Sequence, residues 1–215
     1  MAITEPGCGS DSAAVRTTAI KDGDDYIING EKIFVTSGER ADAVVVWATV
    51  DKNLGKAAIK SFVVEKGTPG MEVTRLEKKL GIKASDTASI SFNDCRVPRT
   101  NLLGTEEVNA DKGFAGVMQT FDNTRPVVAA MAVGVATASI ERKKELLSKQ
   151  GIEFDYSRSS KLSSQLQAEV YKMEAELEAA RLLTIKAAWM ADNGIPNSIE
   201  ASISKAKAGR VANAI

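Results

Sequence analysis

Apolar positions change their period once along this chain, near Leu103-Gly104. Before that point they alternate with polar residues or gather in short blocks divided by turn residues, the pattern of β-strands. Tyr26-Ile27-Ile28 and Lys32-Ile33-Phe34-Val35-Thr36 flank Asn29-Gly30. That pair tolerates the positive backbone angles of a two-residue turn, so a hairpin is predicted there. Residues 43–48 form a continuous apolar block, which predicts a strand covered on both faces. Ser61-Phe62-Val63-Val64 follows, closed by Gly67-Thr68-Pro69-Gly70. Ala88, Ile90 and Phe92 alternate with Ser89 and Ser91, as in a half-buried strand.

Beyond Gly104 the steps become helical. Phe114, Val117, Met118 and Phe121 share one face. Pro126 fits the first turn of a helix, where a missing amide hydrogen costs little, and residues 127–149 then continue it. Small residues (Ala129, Ala130, Ala132, Gly134, Ala136) allow close approach along its first half. Leu166, Val170, Met173, Leu177 and Ala180 form a narrow seam suited to nearly antiparallel packing. A last helix is expected from Asn197, with Glu200 placed to complete a capping box. Ala206, Arg210, Val211 and Ile215 keep helical step to the final residue. The fold class expected is α+β: an antiparallel β barrel or sandwich over residues 1–104, then an antiparallel helical bundle over 105–215. Both ends read as cut, since no cap closes the last helix and Met1 lies against a glycine-bearing loop.

Composition narrows the chemistry. The 215 residues are 44% hydrophobic and 26% charged, enough to bury a core. Lys and Arg balance Asp and Glu at 28 each, which gives no general affinity for nucleic acid. The basic runs Lys78-Lys79 and Arg142-Lys143-Lys144 are expected to be solvated faces. Histidine is absent, so no Ser-His-Asp or Cys-His pair and no histidine metal ligand exists in this sequence. Two cysteines, Cys8 and Cys95, make neither a disulfide framework nor a four-thiolate zinc site. No apolar run is long enough to span a bilayer, and no basic-plus-apolar leader opens the sequence, so an intracellular, reducing compartment is the default. Acid-base work falls to carboxylates, Lys, Tyr or a cofactor.

The segment Thr4-Glu5-Pro6-Gly7-Cys8-Gly9-Ser10-Asp11 is the candidate site. Gly7 and Gly9 can take backbone angles closed to other residues, and Thr4 and Ser10 bring compact hydroxyls. Taken alone it also fits a simple turn with Ser10 capping the next segment, and it lacks the third glycine of a dinucleotide fingerprint. The order of segments is more specific. After it come Ile28-Asn29-Gly30-Glu31-Lys32, Phe34-Val35-Thr36-Ser37-Gly38, Leu80-Gly81-Ile82-Lys83-Ala84-Ser85-Asp86-Thr87 and Phe92-Asn93-Asp94-Cys95-Arg96-Val97-Pro98. Asn101-Leu102-Leu103-Gly104, Gly113-Phe114 and Asp122-Asn123-Thr124-Arg125-Pro126 complete the set. This succession resembles the acyl-CoA dehydrogenase family, from the start of its middle β domain into its carboxyl-terminal helical domain.

The resemblance implies an FAD-dependent α,β-desaturation of an acyl-CoA thioester, with electrons passed to an electron-transfer flavoprotein. It implies a homo- or hetero-oligomer, dimer or tetramer, in the cytoplasm or, in a eukaryote, the mitochondrial matrix, without nucleic acid or membrane insertion. It places Thr4 and Ser10 along the isoalloxazine, the Thr36 hydroxyl near its N5, and Phe34 as the aromatic wall. Ser10, Asp122 and Arg125 would contact the acyl-CoA. The family's Arg-x-x-Phe-Gly segment, which reaches a neighbouring subunit's flavin, is replaced by residues 153–162, where Arg158 is the one substitute. One branch carries the catalytic glutamate immediately before the arginine matching Arg125, where Thr124 stands here; the commoner location falls past Ile215. Glu5 and Asp11 are read as structural. The expectation is therefore an incomplete dehydrogenase, inactive as this chain alone. The alternatives are a non-catalytic partner subunit and a flavin-free acyl-CoA-binding or interaction module.

Overall fold

A computed structural model describes residues 1–108, 114–157, 159 and 162–215. Two compact units are found, Met1–Gly116 and Val117–Ile215.

The first unit is built on strands β1 (Thr18–Asp22), β2 (Asp25–Thr36), β3 (Ala43–Thr49), β4 (Ile59–Glu65), β5 (Met71–Leu76), β6 (Thr87–Pro98) and β7 (Leu102–Leu103). They join in one sheet ordered β5-β6-β2-β1-β3-β4-β7. All pairings are antiparallel except a single parallel pair, Thr18 with Thr49, between β1 and β3. The sheet curls on itself. Tyr26 of β2 meets Phe62 of β4 with ring centroids 4.9 Å apart although two strands separate them in the order. Inward residues of both halves (Ile28, Val35, Val46, Val64, Ile90, Phe92) share one core, as expected of a barrel or sandwich.

The hairpin predicted at Asn29-Gly30 does not form there. β2 runs straight through both residues, and the turn lies at Gly23-Asp24, between the paired residues Asp22 and Asp25. Gly23 takes the positive φ of 63° that this turn requires. Asn29 instead faces a bulge: between the pairs Ile28–Cys95 and Gly30–Phe92 it alone opposes Asn93 and Asp94. Its side-chain oxygen accepts the Asp94 amide at 2.8 Å, and its amide donates to the Asp94 carboxylate at 3.1 Å. A glycine is needed next to it because a Cβ on Gly30 would lie 2.5 Å from Thr17 Oγ1. The alternation predicted along β6 also differs at one place. Ser89 is as buried as its neighbours, with its hydroxyl 3.2 Å from Glu77 Oε1.

The second unit holds α1 (Ala115–Ser148), α2 (Gln165–Asp192) and α3 (Ser198–Ala214). Cross-helix contacts fix their directions. Lys144 reaches Glu174 while Arg181 reaches Thr137, so α1 and α2 run antiparallel. Lys186–Glu200 and Lys207–Glu176 establish the same for α2 and α3. Val133, Ala136 and Ile140 of α1, Val170, Leu177 and Ala180 of α2, and Ala208 and Val211 of α3 make the core. On α3 the buried step is Ala201, Ser204, Ala208 and Val211, so Ala206 and Arg210 face solvent rather than continuing an apolar face.

Three helix expectations are corrected. Pro126 lies inside α1, not in a first turn. A proline there leaves the carbonyl of Asp122, four residues earlier, without its backbone donor. The Asn197 side-chain amide reaches that carbonyl at 3.5 Å and the carbonyl of Ala187 at 2.9 Å. Asn197 is the residue before α3, as predicted, but its side chain makes no capping bond, so no box forms with Glu200. The capping box sits instead on α2, where Ser164 and Gln167 satisfy each other's backbone. Lys144 is less solvated than the basic run predicts. It is half-buried, 2.6 Å from Tyr156 Oη and 3.0 Å from Glu174, within 5.5 Å of the Phe154 and Tyr156 rings.

Candidate functional site

The amino-terminal segment is laid along the middle of the sheet. Ala2 pairs with Val46 of β3 through its amide to Val45 O (2.7 Å) and its carbonyl to the Trp47 amide (3.0 Å). Glu5 and Cys8 then close a tight turn with two backbone bonds, Pro6 and Gly7 at its centre. Neither Gly7 nor Gly9 adopts a positive φ. Their unusual backbone freedom is therefore not what shapes this loop; the Glu5–Cys8 closure is.

Between Thr4 and β2 the contact is direct, the Ile33 amide donating to Thr4 O at 2.9 Å. That amide is free because β2 bulges here. Ile33 and Phe34 together oppose Ser89, between the pairs Lys32–Ile90 and Val35–Ala88. Phe34 holds φ at +57°, a left-handed conformation that costs a non-glycine residue roughly 1–2 kcal/mol. Phe34 is 58% exposed, and Thr36, two residues on, is exposed as well. No hydrogen bond joins the hydroxyls of Thr4, Ser10 or Thr36 to another described residue. Free hydroxyl donors with an outturned aromatic ring suit a flat, polar ring system, which offers acceptors along its edge and a face for stacking.

Under this surface lies a polar network that the pattern of residue types did not reveal. Lys32, fully buried, donates to Glu5 Oε1 at 2.7 Å and to Ile3 O at 3.1 Å. Thr17 gives Glu5 Oε1 its amide (2.9 Å) and its hydroxyl (2.6 Å). Oε2 takes the Arg16 amide at 2.8 Å and the Cys8 thiol at 3.8 Å. Burial pushes the Glu5 carboxyl up, but Lys32 and the Thr17 donors outweigh it and hold the group below its ordinary value. Burial pulls Lys32 down, with Glu5 opposing. A carboxylate so saturated has no lone pair to spare for substrate, which agrees with the structural role expected of Glu5. The available signal was the strand period: Tyr26, Ile28 and Lys32 fall on inward positions of β2.

Burial raises the Cys8 thiol, with Glu5 beside it, and pushes Cys95 up to about 11. Both are inert thiols by this measure. No cluster of metal-ligating side chains exists among the described residues, and no described helix is long and apolar enough to cross a membrane.

In the helical unit, Arg125 Nη1 binds Asp122 Oδ1 at 2.6 Å, one turn apart on α1, and its guanidinium lies 5.5 Å from the Phe121 ring. Both partners are partly buried, and no other guanidinium hydrogen bond is made among the described residues. Thr124 donates its hydroxyl to Phe121 O at 3.4 Å, within its own turn. Arg158 and Gly113 lie outside the described residues.

Comparison with known proteins bears on the family. Residues 1–95 match the acyl-CoA dehydrogenase middle domain and residues 111–215 the acyl-CoA dehydrogenase C-terminal domain. The short-chain specific acyl-CoA dehydrogenase of Clostridium acetobutylicum is 37% identical over 210 residues, 98% of this chain and 54% of the relative. Butyryl-CoA dehydrogenase from Megasphaera elsdenii superposes with a TM-score of 0.85 at 36% identity, covering 98% of this chain and 53% of that one. A chain in a structure of the electron transferring flavoprotein of Acidaminococcus fermentans gives 0.84 at 40% identity, over 98% and 53%. The chain thus spans about half the length of the relatives it matches.

Proposed function

Because the chain belongs to the acyl-CoA dehydrogenase family, we propose that it contributes the flavin-holding half of an enzyme that desaturates an acyl-CoA thioester between its α and β carbons. Electrons would leave to an electron-transfer flavoprotein. The observation that carries this reading is the Thr4–Ile33 backbone bond, which sets the Thr4 segment against the bulge of the left-handed, exposed Phe34, with the hydroxyls of Thr4, Ser10 and Thr36 left unbonded among the described residues. These residues fit FAD. Bound FAD supplies the two-electron acceptor. Thr4, Ser10 and Thr36 would donate hydrogen bonds to its isoalloxazine edge, and Phe34 would exclude water from one side. Residues 1–104 are the flavin-binding domain in this reading, and 105–215 part of the helical bundle. There Arg125, held in place by Asp122, offers its remaining donors to the pantetheine or nucleotide part of acyl-CoA, and Ser10 contacts the acyl end. The family's FAD contact across subunits is proposed for Arg158. The proton-abstracting carboxylate is assigned to none of these residues. Thr124 has only a hydroxyl, Glu5 is saturated, and Asp122 is paired.

The test is equilibrium titration of the apoprotein with FAD, read by flavin absorbance and fluorescence, for the wild type and Thr36→Val. The wild type is expected to bind, and the variant to bind more weakly with an unchanged fold. Absence of binding by the wild type refutes the reading. Butyryl-CoA is the first thioester to try, since relatives are named for short chains and butyryl-CoA.

A further inference from the structure

Lys32 is among the largest fully buried side chains of the protein, yet it carries a charge. A buried pair is weak evidence for stability, because the desolvation of two ions offsets their attraction. Its placement points elsewhere. Lys32 grips Ile3 O and Glu5 Oε1, the residues on either side of Thr4. It is also the last regularly paired residue before the bulge that turns Phe34 outward. The next residue, Ile33, gives its freed amide to Thr4. Glu5 in turn ties down Arg16 and Thr17, the stretch just beyond the Ser10 loop. One ion pair therefore fixes, relative to one another, the segment carrying Thr4, the loop carrying Ser10 and the bulge carrying Phe34 and Thr36.

We propose that Glu5 and Lys32 are positioning residues of the flavin site, which set the spacing of its hydroxyls and its aromatic wall; this rests on the flavin-binding reading above. Neither touches the cofactor. Their work is done before it arrives, by holding the loop in its binding geometry so that binding need not order it.

The experiment uses the full chain as the wild type, Lys32→Met and the double variant Glu5→Gln/Lys32→Met. Three quantities are read: FAD affinity, visible circular dichroism of the bound flavin, and hydrogen exchange of the Ile33 amide in flavin-free protein. Lys32→Met is expected to raise the FAD dissociation constant about tenfold or more, alter the flavin dichroism, and speed Ile33 exchange. The double variant keeps the proposal testable if the single one does not fold, since it leaves no buried charge. It should regain the wild-type melting temperature without regaining FAD affinity or Ile33 protection. Recovery of all three together would show a merely structural pair and overturn the proposal, as would wild-type affinity, dichroism and exchange in Lys32→Met. A wild type that does not bind FAD overturns the flavin reading and the proposal with it, while the Ile33 exchange rates still report whether Lys32 holds the segment.

Discussion

Replacing Asn197 distinguishes a helix cap from a clamp on a broken helix. Asn197 is 6% exposed and stands at the N-cap position of α3, but its side chain faces two carbonyls instead of the α3 amides. Ala187 O keeps its ordinary donor within α2 when Asn197 is removed, so that loss is one hydrogen bond, about 0.5–1.5 kcal/mol. Asp122 O has no such reserve, since Pro126 supplies no amide; leaving a carbonyl unsatisfied costs about 1–3 kcal/mol. The contact is long at 3.5 Å, which favours the lower end. Asn197→Ala should therefore cost about 1.5–2.5 kcal/mol, seen as a urea midpoint lowered by about 1 M at unchanged slope. Asn197→Asp is the sharper probe. Aspartate caps helices as well as asparagine does, but it is acceptor-only and would face two acceptors. It should be less stable than Asn197→Ala. Pro126→Ala returns an amide to Asp122 O, so in that background the Asn197→Ala penalty should shrink by about 1 kcal/mol. An Asn197→Asp protein as stable as the wild type, or strict additivity with Pro126→Ala, would refute the clamp.

Phe34→Gly removes the left-handed strain and, after the extra chain entropy of glycine, should leave the flavin-free protein level or more stable by up to about 1 kcal/mol; FAD affinity should fall in the same titration. Arg125→Met should weaken binding of butyryl-CoA about tenfold or more, the loss of a charge-assisted hydrogen bond, with FAD affinity unchanged by calorimetry. Glu5 titrates lower when folded, so its contribution to stability is complete above the ordinary carboxylate value of 4.5 and is lost as pH falls toward the lowered folded one. A melting-temperature series in acid should accordingly show a shallower loss for Glu5→Gln than for the wild type.

The elements that were legible are those that bury apolar residues; β5, exposed along nearly its whole length, offered no such pattern. Period two marked β6, a continuous apolar block marked β3, and steps of three and four marked the helices. What misled were residues with two uses. Asn29-Gly30 has the chemistry of a hairpin turn, and the same chemistry serves a bulge in which an amide side chain replaces a missing ladder bond. Pro126 suits a first turn on local grounds, but a distant donor, the Asn197 side chain, lets it sit mid-helix. That same commitment removed the capping box expected at Asn197 and Glu200. The buried pair was the least visible feature, for Glu5 and Lys32 lie 27 residues apart and only the sheet brings them together.

One irregularity of β2, the bulge at Ile33-Phe34, falls at the candidate site, and the geometry of strands says why. Side chains alternate faces with a period of two, so Lys32, Phe34 and Thr36 would share one face of an unbroken strand. The core needs Lys32 inward to meet Glu5, whereas a flavin surface needs Phe34 and Thr36 outward. One extra residue resolves the conflict. With Ile33 and Phe34 both opposing Ser89, the phase shifts by one, and Lys32 and Val35 are buried while Phe34 and Thr36 are exposed. The cost is Phe34 in the left-handed region and an unpaired Ile33 amide. Thr4 meets the second, and its place is fixed by the same lysine that the bulge keeps inside. Anchor and bulge thus depend on each other. Without the shift Lys32 could not stay buried while Thr36 turned outward, and without the anchor the Ile33 amide would lose its acceptor.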